Sequence, residues 1–177
     1  MTEPRHRVNE NPISVLFVCL GNICRSPLAE AVFRQTVIDA GLEDRFRIDS
    51  AGTSGWHDGE PPDERTTATA ARRGVQVTGT SRRVTEADVA DFDYLVAMDA
   101  DNLREVEALA EVTVTESDGP AAHLLREFDP EAGGDPGALE VPDPYFGGPQ
   151  GFDNVHDLVE RSARGLLEFL REEHGLQ

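Results

Sequence analysis

The sequence predicts an α/β protein in three layers, a four-stranded parallel sheet between helices. Three observations lead there. Short runs rich in β-branched and aromatic residues, at 13–19, 47–52, 94–98 and 112–114, alternate with helical patterns. Such alternation marks a parallel sheet covered on both faces, with its site at the carboxyl ends of the strands. The length of 177 residues suits one domain with a real core.

The elements follow in order. Residues 1–12 are polar and read as a disordered extension to a domain spanning 13–177. Ile13 to Cys19 is a short β-branched and aromatic run, Ser14 apart, and reads as a strand buried on both faces. A compact loop, Leu20 to Arg25, leads to Ser26-Pro27, read as an N-cap and a proline at the first helical position. Leu28, Ala29, Val32, Phe33, Val37 and Ile38 then recur at helical spacing, and Gly41 stops the helix. Arg47 to Gly52 is the second strand. Pro61-Pro62-Asp63 opens a helix that closes at Gly74, and Thr85-Glu86-Ala87-Asp88 is a capping start. Tyr94 to Met98 is the third strand, with Asp99 placed to cap the next helix; Val112-Thr113-Val114 is the expected fourth strand. Residues 115–151 read as loop with one helical turn near His123 to Arg126. A long amphipathic helix runs from Phe152 to Gly175.

Composition removes several classes of function. There are 34 acidic and 16 basic residues, a net charge of −18, and every basic residue is arginine. Such a chain lacks the basic face that nucleic acid or an anionic membrane requires. No apolar run approaches a membrane span, and the first twelve residues lack the apolar core of a signal peptide. Two cysteines build no disulfide framework. The expectation is a cytoplasmic protein whose cysteines have a chemical use. The five histidines, at 6, 57, 123, 156 and 174, show no ligand spacing, so neither a metal nor another cofactor is expected and each reads as a surface or capping residue.

The chemistry is concentrated in Val18-Cys19-Leu20-Gly21-Asn22-Ile23-Cys24-Arg25-Ser26-Pro27. A cysteine ends a buried strand, five residues follow, then an arginine, then a helix. A loop of this kind can turn successive N–H groups inward as an anion nest, from Leu20 through Ser26. The helix start adds the positive end of its dipole. Gly21 and Asn22 both tolerate a positive φ. Arg25 offers a planar fork for two phosphoryl oxygens. In that field the Cys19 thiolate is stabilised, and Ser26 can donate to it. Cys24, at the far side of the same tight loop, is within reach of a protective role: capturing an oxidised Cys19 as a disulfide that reductants reverse.

These residues resemble the low-molecular-weight protein tyrosine phosphatase family. The likeness extends to Asp49-Ser50-Ala51-Gly52-Thr53, Pro62-Asp63-Glu64-Arg65, Phe92-Asp93-Tyr94, Met98-Asp99, Asn102-Leu103-Arg104 and Asp143-Pro144-Tyr145, nearly the whole chain. It implies a flavodoxin-like topology with the phosphate-binding loop after the first strand. It also implies a phosphotyrosyl protein as substrate, inorganic phosphate or another oxyanion in the site, and a monomer or weak homodimer. Ester cleavage needs a proton for the leaving oxygen. Spacing alone leaves Asp129, Asp135 and Asp143 as candidates, each before a proline. The resemblance singles out Asp143. By resemblance also, Asn22, Ser50 and Asp99 brace the loop, and Trp56 and Tyr145 wall the slot for a phenyl ring, with Leu20 along it.

Three rivals share parts of this pattern. Thiol-dependent arsenate reductases pass a disulfide to later cysteines, and this chain has none after Cys24. Protein-arginine phosphatases usually carry threonine where Ile23 stands. A phosphate-binding or redox-sensing module would not need Cys19, Arg25, Ser26 and Asp143 together.

Overall fold

The computed structural model describes residues 11–114, 119–134, 136–145 and 147–177. The expected N-terminal extension falls largely on residues 1–10, outside the described residues. Strands β1 (Ile13–Cys19), β2 (Phe46–Gly52), β3 (Tyr94–Ala97) and β4 (Ala121–Leu124) form one parallel sheet in the order β2-β1-β3-β4. This is the flavodoxin-like winding. The chain leaves β1 for β2 on one side and returns to β3 on the other, so a crevice opens at the carboxyl end of β1. Val18 sits at the centre of that edge, paired with Ala51 of β2 and Ala97 of β3.

Helices cover both faces. α1 (Arg25–Asp39) and α5 (Pro149–His174) lie on one face, joined by α2 (Glu64–Arg72) beside them; α3 (Glu86–Asp91) and α4 (Ala100–Thr113) lie on the other. Strand alternation divides the core accordingly. Val15, Phe17 and Cys19 point toward α1 and α5, while Leu16 and Val18 point toward α3 and α4. Every residue of β1 is buried, the reason it is apolar at every position but Ser14.

Caps place the helices much as the sequence predicts. Asp63 accepts from the Arg65 N–H to start α2. Thr85 and Asp88 form a capping box for α3, and Asp99 and Asn102 form one for α4. Gly41, Gly74 and Gly175 follow their helices at φ of 70°, 77° and 61°.

Two expectations are corrected. The fourth strand is Ala121–Leu124, not Val112 to Val114. The Val114 N–H donates to the Ala110 carbonyl, so the β-branched run completes α4, with Val112 74% exposed. The capping box of Asp99 and the Ala, Leu and Glu residues behind it outweigh a β-branched run only three residues long. Ala121–Leu124 has no β-branched residue and is a strand because the free edge of β3 pairs with it. The turn after it is a 3-10 helix over Leu125–Phe128, and a second covers Pro136–Leu139.

The second correction concerns the start of α1. The helix begins at Arg25 and its N-cap position is Cys24, with no side-chain cap. Ser26 lies inside the first turn, and its hydroxyl is engaged at the sulfur of Cys19 instead. Among the described residues no helix is long and apolar enough to cross a membrane.

Candidate active site

The loop after β1 is folded by a few contacts that sequence alone only partly announces. Asn22 takes the left-handed conformation at φ 54°, whereas Gly21 does not appear in that region. Gly21 is closely approached instead: a Cβ there would meet the His57 ring at 3.0 Å, so the ring would have to shift. Gly52, ending β2, is needed for space, since a Cβ would lie 2.7 Å from the backbone carbonyl of Leu20. The loop is thus pressed onto β2, where the N–H groups of Thr53 and Ser54 donate to the carbonyls of Cys19 and Leu20.

That fold turns donors toward the sulfur. The Asn22 N–H points to Cys19 Sγ at 3.3 Å, the Ser26 N–H at 3.5 Å, and Ser26 Oγ lies 3.0 Å away. The network behind the last contact narrows where the Ser26 hydrogen can go. Glu30, a carboxylate, only accepts, so the Ser50 hydroxyl at 2.7 Å donates to it. Asn22 Oδ1 accepts from the Arg82 N–H, so its amide nitrogen donates to both Ser50 Oγ and Ser26 Oγ, at 3.0 and 2.8 Å. The Ser26 hydrogen is left for the sulfur or for the Ala51 carbonyl at 3.3 Å. Asn22 and Ser50 therefore stand together as expected. Glu30 and Arg82 were missed. Glu30 lies one helical turn beyond Ser26, and that spacing was the available signal.

Arg25 is buried and reaches across the sheet edge. Its Nη1 donates to Asp99 Oδ2 at 2.7 Å and to the Val141 carbonyl at 3.1 Å; its Nη2 lies 3.6 Å from Asp143 Oδ2. Burial opposes its charge, but Cys19, Asp99 and Asp143 outweigh that and raise its pKa.

A pocket of about 170 Å³ opens over this loop. Cys19, Leu20, Gly21, Ile23, Cys24 and Arg25 form its base, and Ser54, Trp56, His57, Asp143 and Tyr145 its wall. Trp56 stands 83% exposed at the rim. Arg65 lies over the rings of Tyr145 and Phe152, 5.4 and 4.6 Å from their centroids. A larger cavity, about 760 Å³, opens at the amino ends of the strands between Ile13 and His174 and contains no cysteine. Size therefore does not choose the site; the nucleophile and the nest do.

His57 corrects the reading of the histidines as surface or capping groups. It lines the pocket, its ring 6.3 Å from that of Tyr145 and its Nδ1 2.5 Å from Glu60. His156 also departs from that reading, being buried within α5. Of the three candidate acids, Asp143 alone lines the pocket among the described residues. Asp129 is buried between Arg126 and Arg161, and Asp135 lies outside the described residues. Cys24 is buried against Ile23 and Phe152. Burial pushes its thiol up to about 12, against the lowering effect of a hydrogen bond with Thr66.

A thiol in a nest, a buried arginine and an acid at one mouth is the arrangement that the sequence likened to a phosphatase. A family model, "Low molecular weight phosphotyrosine protein phosphatase", matches residues 14–176. The chain belongs to this family. A low molecular weight protein-tyrosine-phosphatase of Streptomyces coelicolor is 47% identical over 159 residues, 90% of this chain and 94% of that protein. The crystal structure of YfkJ from Bacillus subtilis superposes with a TM-score of 0.81 at 40% identity, covering 93% of this chain and 98% of that one. The structure of a Drosophila arginine phosphatase superposes at 0.80 with 34% identity, covering 89% and 97%. As a low-molecular-weight phosphatase family member, the chain places its phosphate-binding loop after the first strand of a four-stranded parallel sheet.

Proposed function

We propose that this protein is a cysteine-dependent phosphatase that hydrolyses phosphotyrosine in proteins, and simple aryl phosphates, through a cysteinyl-phosphate intermediate. The observation that carries this reading is the sulfur of Cys19 facing inward N–H groups in one small pocket with Arg25 and Asp143.

The Cys19 thiolate attacks phosphorus in line, forming the S–P bond as the bond to the phenolic oxygen breaks. Asp143, entering as the acid, gives its proton to that oxygen. The loop N–H groups hold the equatorial oxygens as charge builds. Arg25 commits both Nη1 hydrogens to Asp99 and Val141, which leaves its Nε–Nη2 edge for two phosphoryl oxygens. Asp143, now ionised, then takes a proton from water as the water attacks phosphorus. The S–P bond breaks, inorganic phosphate leaves and the thiolate returns. Ser26 donates to the sulfur at the start and again as it departs. Trp56 and Tyr145 flank the substrate ring. Two free cysteines fit a reducing compartment, the cytoplasm.

A second reading, a protein-arginine phosphatase, is favoured by the likeness to the Drosophila enzyme. Ile23, Leu20, Trp56 and Tyr145 argue for the aryl ester, because an apolar slot solvates a phenyl ring better than a guanidinium. The deciding experiment compares a phosphotyrosyl peptide with a phosphoarginyl peptide. Preference for the first is expected, at least tenfold in kcat/KM; preference for the second reverses the assignment. Cys19→Ser abolishes turnover while phosphate binding persists, and retained turnover removes Cys19 as nucleophile. Asp143→Asn lowers kcat/KM for poor leaving groups far more than for activated ones.

A further inference from the structure

Asp143 sits on a loop, held by the 3.6 Å ion contact with Arg25 and by one local bond. Its side chain is 42% exposed, and its Oδ1 accepts from the Tyr145 N–H two residues on. Proton transfer depends on placement within tenths of an ångström, so the position of Asp143 has to be set from elsewhere.

The segment just before it is tied down at several points. The Val141 N–H donates to the Met98 carbonyl at the end of β3, at 2.7 Å. The Glu140 carbonyl accepts from Arg126 at 3.2 Å, and Arg126 also meets the buried Asp129. The Glu140 carboxylate accepts from the Ala100 N–H at 2.8 Å. Ala100 is the first residue of α4, and its N–H is one of the donors that a helix leaves unpaired.

Two carboxylates therefore share one helix end. Asp99 takes the Asn102 N–H with Oδ1 and Arg25 with Oδ2. Glu140 takes the Ala100 N–H. The phosphate-binding arginine and the acid loop are each referred to the start of α4, a fourteen-residue helix packed on one face of the sheet. Val141, between Glu140 and Asp143, closes the frame by accepting from Arg25.

We propose that Glu140 is a positioning residue for the acid. Its bond to the Ala100 N–H sets the distance from Asp143 to the leaving oxygen, while the nest is held by its own contacts beside β2 and Arg25 keeps its bond to Asp99. This rests on Asp143 being the general acid.

The test is the leaving-group dependence of kcat/KM, which covers the steps up to departure of the phenol. Glu140→Ala is measured with phenyl phosphate, a poor leaving group, and with 4-nitrophenyl phosphate, an activated one, together with inhibition by inorganic phosphate. The expected result is a tenfold or greater loss on phenyl phosphate and less than threefold on 4-nitrophenyl phosphate. Phosphate inhibition should stay within threefold, which also reports an intact fold. Glu140→Gln, whose amide oxygen can accept the same N–H, should restore phenyl phosphate turnover to within threefold of the parent. An equal loss on both esters, no loss, or a Gln variant as impaired as the Ala variant overturns the proposal. Asp143→Asn separates the two layers. If it shows no leaving-group dependence, the acid assignment itself falls. If it does and Glu140→Ala does not, only the role of Glu140 falls.

Discussion

Arg25 and Asp99, 74 residues apart in the chain, meet at 2.7 Å at the carboxyl edge of the sheet. One carboxylate oxygen of Asp99 caps α4 and the other holds the guanidinium, so the helix and the arginine share a single anchor. Buried arginine is oriented by its partners, because it cannot lose its charge to relieve a mismatch.

Asp99→Asn keeps an oxygen for the cap but can turn an amide donor toward the Arg25 donors. The expected outcome is a fall in kcat/KM of about ten- to a hundredfold, the scale of misplacing a catalytic group by an ångström. The melting temperature should fall by a few degrees as well, because the buried Arg25 loses a carboxylate partner. Steady-state kinetics beside a thermal melt checks this; a large melting shift with intact kinetics would make Asp99 purely a cap.

Cys24 is predicted to protect Cys19. Peroxide converts the Cys19 thiolate to a sulfenic acid, and the Cys24 thiolate then displaces hydroxide to form the disulfide. Cys24→Ser should keep its activity within about threefold, yet recover poorly with dithiol after peroxide. The raised Cys24 pKa adds a sign. Its thiolate fraction grows as pH rises toward about 12, so capture should be faster at pH 9 than at pH 7. Quenched mass spectrometry for the Cys19–Cys24 bond measures it, and full recovery of the Ser variant would make Cys24 structural only.

Asp129 ties the 3-10 turn at Leu125–Phe128 to α5. Burial alone would raise its carboxyl pKa, but Arg161, the Glu131 N–H and Arg126 outweigh burial and lower it. A group lowered on folding stabilises the folded state above its unfolded pKa of about 3.9. That contribution is lost as pH falls from there through the folded value. Asp129→Asn should cost about 2–3 kcal/mol at pH 7, and the gap to the parent should narrow below about pH 4. Urea unfolding across pH checks both; a constant gap would refute the ionic origin.

Gly165 lets α5 approach that same turn. A Cβ there would overlap the backbone carbonyl of Phe128, which has no flexible end to move aside. Gly165→Ala should cost about 1–3 kcal/mol, read as a melting loss of roughly 2–12 °C. An unchanged melt would show that the turn gives way freely.

Local chemistry was legible. The β1–loop–α1 unit, the caps at Asp63, Thr85 and Asp99 and the stops at Gly41, Gly74 and Gly175 all follow from residues within a few positions of one another. Burial of β1 on both faces was written in its apolar run. The loop could be read because Cys19, Asn22, Arg25 and Ser26 are neighbours in sequence.

What the sequence by itself determined is thus the set of pieces and the nest. The tertiary structure alone decided which pieces meet. Ala121–Leu124 is a strand because an open edge of β3 needs a partner, and no periodicity in four residues records that. Asp143 stands at the pocket while Asp129 is buried under two arginines, though both precede a proline. Glu30, Arg82, His57 and Glu140 act on the loop or its pocket through contacts between residues distant in the chain. The physical reason is range. Backbone propensity and capping act over a turn or two, whereas hydrogen bonds across a sheet edge exist only after the strands have set their register.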